Sequence, residues 1–280
     1  MAVAQPQFLL VFNESTGKTV TNHGSHATPY TIRADAACTQ GSDFNWTPDS
    51  GPYPGTGKLS TVFPGNGSGT NLTTWLSTAH TPPASAYQNI NVACGFRVIS
   101  PGYDAGQGYG YLFGPSLSGL NGDCIGSIIA PTVGGDFNFR FRFRSISGYM
   151  YESPLITGLS FNTDYVMSAC LNAGTHRALF KWDSTTATDN AYTHGGMEPY
   201  NGSWPYINRT ADQDNYHSVK ADFHFFVYGR NQTAWSTTNL DEINADPATA
   251  IGGWPASGGG SGPALAGALL APRPRVLLRL

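Results

Sequence analysis

Residues 136–146 read DFNFRFRFRSI. Phe137, Phe139, Phe141 and Phe143 recur at every second position, with Asn138, Arg140, Arg142 and Arg144 between them. A repeat of two is the side-chain period of a β-strand, so the four rings fall on one face and the polar groups on the other. The ring face must enter a core. The opposite face presents three arginines in a row, ~7 Å apart at two residues of strand rise each. That row is either a solvated outer face or a surface for anionic groups or a partner, because arginine makes bidentate contacts with carboxylates.

The same alternation recurs elsewhere. In residues 89–100, NINVACGFRVIS, one face collects Ile90, Val92, Cys94, Phe96 and Val98. Residues 165–171 and 177–182 form a hairpin pattern around an Asn172-Ala-Gly174 turn, and residues 109–113 and 125–130 flank Asn121-Gly122, a strong hairpin signal. Residues 7–12 and 59–63 are shorter strand candidates, and residues 13–26 a polar hairpin with a Thr16-Gly-Lys turn. Residues 40–69 are dense in Gly, Pro, Asp and Asn, with Phe44, Trp46, Tyr53 and Phe63 as anchors. Residues 75–85, 101–110 and 191–215 are expected to be loops.

Near the C-terminus, Ala221 to Tyr228 has the make-up of a half-buried strand, broken by Gly229. Residues 237–245 follow as a short helix, with Thr238 placed to cap it, Asp241 three residues on, Leu240 and Ile243 as an apolar pair and Pro247 as the stop.

Many short strands with frequent turns also fit 34 Gly and 19 Pro in 280 residues, and charged residues at 12% are too few for long amphipathic helices. With 40% apolar residues the chain can bury a core without staples. The expected fold is all-β: a two-sheet antiparallel, jelly-roll-like sandwich with one short C-terminal helix. It occupies residues 1–255 as one domain. Residues 256–263 are a Gly/Ser linker. Residues 264–280 form an extended tail ending PRPRVLLRL, in which Arg273, Arg275, Val276, Leu277, Leu278, Arg279 and Leu280 are expected to dock on a partner chain.

A net charge of −3, from 15 basic and 18 acidic residues, leaves no basic stripe for nucleic acid. No apolar run reaches the ~18 residues of a membrane span. The N-terminus lacks the charged and apolar regions of a signal peptide, so synthesis in the cytosol is expected and the seven Asn-x-Ser/Thr sequons are discounted as glycosylation sites. Cys38, Cys94, Cys124 and Cys170 contain no CxxC pair, so zinc is not expected; Cys94 and Cys170 sit in apolar runs as buried free thiols, the alternative being disulfides if the protein ends up outside a cell.

Catalytic signatures are missing. There are four glutamates, Glu14, Glu152, Glu198 and Glu242, and none has a second carboxylate two residues away. Asp212-Gln-Asp214 has that spacing but lies in an expected loop. Neither a Gly-x-Ser-x-Gly elbow nor a Walker loop occurs. His23 with His26, and His194 with Glu198, are incomplete metal sets; Asp212, Asp214 and Asn215 are oxygen donors of the calcium type but complete no coordination set. No cofactor is expected, and calcium stays open. Tyr192, His194, Tyr200, Trp204 and Tyr206 cluster in one aromatic segment that either anchors its loop or offers rings to a sugar face.

Two stretches carry a family resemblance. Phe223-His-Phe-Phe-Val-Tyr-Gly-Arg followed by Leu240-Asp-Glu-Ile resembles the closing strand and small helix of laminin-G-like, concanavalin A-like sandwich domains, and residues 161–183 resemble their central hairpin. The resemblance spans residues 89–251. It implies a lectin-like sandwich. The aspartates of the family's calcium site do not align here, so no metal ligand is carried over. Modules of this kind without an export signal resemble phage virion decoration, spike or tail proteins. The implied function is a non-enzymatic surface component of a phage-like particle, located in the virion and assembled with other chains of the particle or as a homo-oligomer. The alternative is a carbohydrate-binding module for cell-surface glycans, with glycoside hydrolase a distant third.

Overall fold

The computed structural model describes residues 2–26, 30–33, 39–61, 75–77, 89–100, 109–114, 125–132, 136–144, 150–189, 206–208 and 219–256. Two antiparallel sheets account for most of them. In the first, the order is β15 (Thr185–Asp189), β14 (Arg177–Trp182), β13 (Asp164–Asn172), β7 (Ile90–Ser100), β17 (Lys220–Arg230), β5 (Lys58–Thr61) and β4 (Phe44–Thr47), with β1 (Phe8–Leu10) also paired to β17. In the second, the order is β11 (Met150–Glu152), β10 (Asp136–Arg144), β9 (Ile125–Thr132), β8 (Tyr109–Gly114), β16 (Tyr206–Ile207), β6 (Trp75–Ser77), β3 (Tyr30–Arg33) and β2 (Thr19–Val20); β12 (Ile156–Ser160) also pairs with β10. This is the expected all-β sandwich.

The four phenylalanines of β10 are fully buried between the sheets. Phe139 and Phe141 meet edge-to-face at 4.8 Å; Phe141 also packs on Phe113 and Phe180, and Phe139 on Phe96 of the opposite sheet. The face of β7 named from the sequence, Ile90 through Val98, lies in the same inter-sheet cluster. Gly126 sits between Phe141 and Phe113 in the strand register, and a Cβ there would come 2.4 Å from the Phe113 ring. A bare backbone at that point lets the rings close over it.

Strand β17 departs from the expectation in two ways. It runs unbroken through Gly229 to Arg230, and it is buried on both faces. Its second face is covered by a separate apolar cluster made with Val166, Cys170, Trp235, Leu240 and Ile243. This cover comes from two helices rather than one: α1 (Thr237–Ala245) and α2 (Pro247–Ala250). Ser236, not Thr238, is the N-cap of α1, in a capping box that Asn239 completes. Pro247 does not simply end α1. It opens α2 at the first helical position, where a missing N–H costs nothing, and Asp246 accepts from Thr249 N. Lys181 to Asp241 at 2.6 Å, Ser168 to Asn244 at 2.5 Å, and Asn244 Nδ2 to Val166 O at 2.9 Å fasten α1 to the sheet.

The domain's two ends meet. Val3 bridges Ile251 in parallel, through Val3 N to Ala250 O at 2.7 Å and Gly252 N to Val3 O at 3.0 Å. Cys94 and Cys170 are buried free thiols on opposite faces of the first sheet, which keeps them apart; burial pushes the Cys170 thiol up to about 12 and Cys94 higher still. Residues 75–77, expected as loop, form β6. The Asn121-Gly122 turn and residues 257–280, with the linker and the tail, lie outside the described residues.

Candidate functional site

The outward face of β10 is organised by one neighbour, Glu152 on β11. Register places Glu152 directly opposite Arg142. Arg142 Nε lies 2.5 Å from Glu152 Oε1, and Arg140 Nη1 lies 3.4 Å from Glu152 Oε2. The arginine row is thus not simply solvated: one carboxylate orients two guanidiniums, all three side chains being roughly a quarter to a third exposed. At that exposure the pairs add little stability, and their effect is orientation. Asn138 on the same face is 6% exposed, and its Oδ1 has no hydrogen-bond partner among the described residues.

Aromatic groups continue this face across the sheet. Arg140 is opposite Ser127, and Ser127 is opposite Tyr111. Residues directly opposite one another project to the same side, so Tyr111 shares the face with Arg140. Tyr206 on β16 alternates with Ile207, which faces the inter-sheet core, so Tyr206 also projects outward. From β10 to β16 is three strand steps, ~15 Å. Glu152, Arg142, Arg140 and Tyr206 are the partly exposed groups of this face, about as long as a short oligosaccharide, while Asn138 and Tyr111 lie on the same side but are buried. Of the aromatic segment named from the sequence, Tyr206 is on this face; Tyr192, His194, Tyr200 and Trp204 lie outside the described residues, as do Asp212, Asp214 and Asn215. Glu152 and Tyr111 escaped sequence reading because each sits on a short strand with little alternation of its own.

Among the described residues, this face brings no second carboxylate close to Glu152. Glu152 is shared by two guanidiniums. The other described carboxylate on β10's outward face, Asp136, lies six residues from Arg142 along the strand, ~20 Å from Glu152's register position. Glycosidic hydrolysis needs two carboxyl groups ~5–9.5 Å apart. Among the described residues no group of three or more His, Cys, Asp and Glu could hold a metal ion, and no helix there is long and apolar enough to cross a membrane.

The first sheet carries a second polar row on its outward face. Asp222, Arg97 and Asp164 stand opposite one another on β17, β7 and β13. Arg97 Nε donates to Asp164 Oδ1 at 2.9 Å and Nη2 lies 2.5 Å from Oδ2; His224 Nε2 lies 2.8 Å from Oδ1. Asp222 accepts from Ser60 Oγ at 2.6 Å and lies 3.5 Å from Lys58 Nζ. His224 sits in a bulge opposite Gly95 and is almost fully buried. The signal was present in the sequence: Asp222 and His224 in an aromatic strand need partners. Burial pushes the Asp164 carboxyl up, but the hydrogen bonds and charges of His224 and Arg97 outweigh it and hold the group well below the usual carboxylate range. A depressed folded pKa contributes stability that is complete above the unfolded value, ~3.9, and is lost as pH falls below it. Asp164→Asn is therefore expected to lower the melting temperature most at neutral pH, with the gap to wild type closing below ~pH 4. A gap constant from pH 6 to pH 2 would show that Asp164 has no such role.

No protein-family model matches the chain, and neither does any curated protein sequence. Solved structures do resemble it. The receptor-binding domain of botulinum neurotoxin type G is 10% identical with a TM-score of 0.51, over 86% of this chain and 51% of that one; the chain thus spans about half the length of that domain. A Ruminococcus gnavus sialidase carbohydrate-binding module, CBM40, bound to α2,3-sialyllactose is 9% identical with a TM-score of 0.43, over 57% of this chain and 83% of the module. An endo-1,3-β-glucanase from Streptomyces sioyaensis is 13% identical with a TM-score of 0.43, over 80% of this chain and 95% of the enzyme. At these identities the likeness is one of fold, a two-sheet antiparallel β-sandwich.

Proposed function

We propose that this chain is a non-enzymatic, lectin-like surface component of a phage-like particle, and that its sandwich recognises glycan through the outward face of the second sheet. The observation that carries the glycan reading is the pair of guanidiniums oriented by Glu152 on the sheet face that also carries the partly exposed ring of Tyr206. Planar, pre-aimed donors match the hydroxyl and carboxylate oxygens of sugars, and side chains already held in place lose less entropy on binding. The particle setting rests on the sequence: the family resemblance and the arginine–leucine tail, which supplies a docking segment for other chains.

A glycan array probed with the full chain tests the binding. At least one glycan class is expected to bind without being cleaved, and Arg142→Ala is expected to weaken that binding about tenfold or more, the loss of a charged hydrogen bond. An array without binding, retention by Arg142→Ala, or cleavage of the bound glycan would each defeat the glycan reading. Removal of residues 264–280 should leave a folded sandwich that no longer enters its particle; normal incorporation would defeat the particle setting.

A further inference from the structure

A cavity of about 500 Å³ lies away from the second sheet's outward face, where the loop following β1 meets the C-terminal end of the domain. Its walls include Asn13, Glu14, Ser15, Thr21, His23 and Pro255. The volume is within the ~300–1,000 Å³ of small-molecule sites, and the wall mixes hydroxyl, amide and carboxylate groups with the apolar Val11, Pro255 and Ala256.

Several distant parts of the chain hold this wall in shape. Asn13 and Asp49 exchange two hydrogen bonds, Asn13 Nδ2 to Asp49 Oδ1 at 3.0 Å and Asp49 N to Asn13 Oδ1 at 2.6 Å. Gln40 Nε2 donates to Ser15 O, Trp46 Nε1 to Gly17 O, and Gln5 Nε2 to His23 O. The opposite rim is tied down by Trp254 Nε1 to Pro54 O at 2.8 Å. None of these bonds engages the side-chain hydroxyl of Ser15 or the imidazole of His23.

Glu14 is the distinctive group. Thr21 N donates to its Oε1 at 2.7 Å, while Oε2 is shielded from solvent with no hydrogen-bond partner among the described residues. A shielded carboxylate oxygen without a donor is costly, and a turn of the Glu14 side chain toward an O–H or N–H in the cavity relieves that cost. Burial lowers the His23 pKa, with the Glu14 charge opposing, which favours the neutral imidazole, a group that can both donate and accept.

We infer that this cavity is a second ligand site, for a neutral, hydroxyl-rich small molecule of the sugar type, with the Glu14 carboxylate on its wall turning to accept a ligand hydroxyl. The site is distinct from the arginine face: a negative wall disfavours acidic sugars, which oriented arginines favour. The inference does not depend on the glycan reading of the second sheet, since Arg142→Ala leaves the cavity untouched and Glu14→Gln leaves the arginine face untouched.

Amide chemical shifts of the isotope-labelled full chain test it, with Thr21 as reporter because its N–H is bonded to Glu14. Galactose, N-acetylglucosamine, sodium glucuronate and calcium chloride are titrated separately. A neutral sugar is expected to move the Thr21 amide saturably in the millimolar range, glucuronate to leave it in place, and Glu14→Gln to weaken the sugar about tenfold or more. The inference is overturned if neither neutral sugar moves Thr21, if glucuronate saturates it equally, if calcium alone does so, or if Glu14→Gln binds as wild type. The wild-type titrations decide the matter even if Glu14→Gln fails to fold.

Discussion

Phe141→Ala is expected to lower the unfolding free energy by about 3–5 kcal/mol, the range for emptying a fully buried aromatic site. Phe141 stands where both sheets meet: it packs on Phe139 of its own strand, on Phe113 two strands away and on Phe180 of the opposite sheet. These neighbours cannot collapse into the gap. Phe113 is held over the bare backbone of Gly126, and Phe180 also packs on Phe143 at 5.8 Å. The transfer cost of the lost ring and the cost of the cavity therefore add. Urea unfolding of wild type and variant, compared at equal slope, gives the difference. A loss under ~1 kcal/mol would mean that the inter-sheet rings are not packed as described.

Leu240→Ala is expected to cost about 2–5 kcal/mol and to act on a different part of the molecule. Leu240 is fully buried in the outer cluster, between α1 and the second face of the first sheet. Truncation loosens α1 while leaving the inter-sheet core filled. Trp235 and Trp254 belong to or border that outer cluster, so their fluorescence should shift to the red at lower urea than the loss of β-sheet circular dichroism. Coincident transitions with unchanged midpoint would show that the helical cover contributes nothing separable. The polar fastenings of α1, Lys181 to Asp241 and Asn244 to β13, limit how far it can lift.

The strands legible in the sequence are those whose residue types alternate or whose turn is marked. β10 has one buried and one polar face, β7 keeps large apolar residues at every second position although Ala93 on its other face is also buried, and the hairpin of β13 and β14 is marked by its Asn-Ala-Gly turn. β17 was recognised but misread, because cover on both faces removes the polar alternation that defines an end, so Gly229 looked like a break. β2, β6 and β16 are two or three residues long and hold no pattern; only pairing partners make them strands. The helix cap was misplaced by two residues because Asn239 reciprocates with Ser236, a bond that depends on geometry rather than on residue type alone. At the site, the arginine row was visible as spacing. Its meaning depends on Glu152, which reaches it only through the turn back from β10 into β11. The His224–Asp164–Arg97 cluster joins three strands: His224 stands out as a polar residue in an aromatic strand, but its partners are set only by the pairing of the strands.

The bridge between Val3 and Ile251 has a mechanical consequence. The two segments run parallel, so tension applied through residue 2 and residue 256 pulls them in opposite directions along their length. The bonds Val3 N to Ala250 O and Gly252 N to Val3 O are then strained together, in shear, rather than opened one after the other like a zip. Behind this clamp lies the β1–β17 pairing from Phe8 opposite Tyr228 to Leu10 opposite Phe226, which is loaded only once the clamp has slipped. A module tethered at one of these ends and pulled by the other therefore meets its resistance at the first contact, before any force reaches the aromatic core.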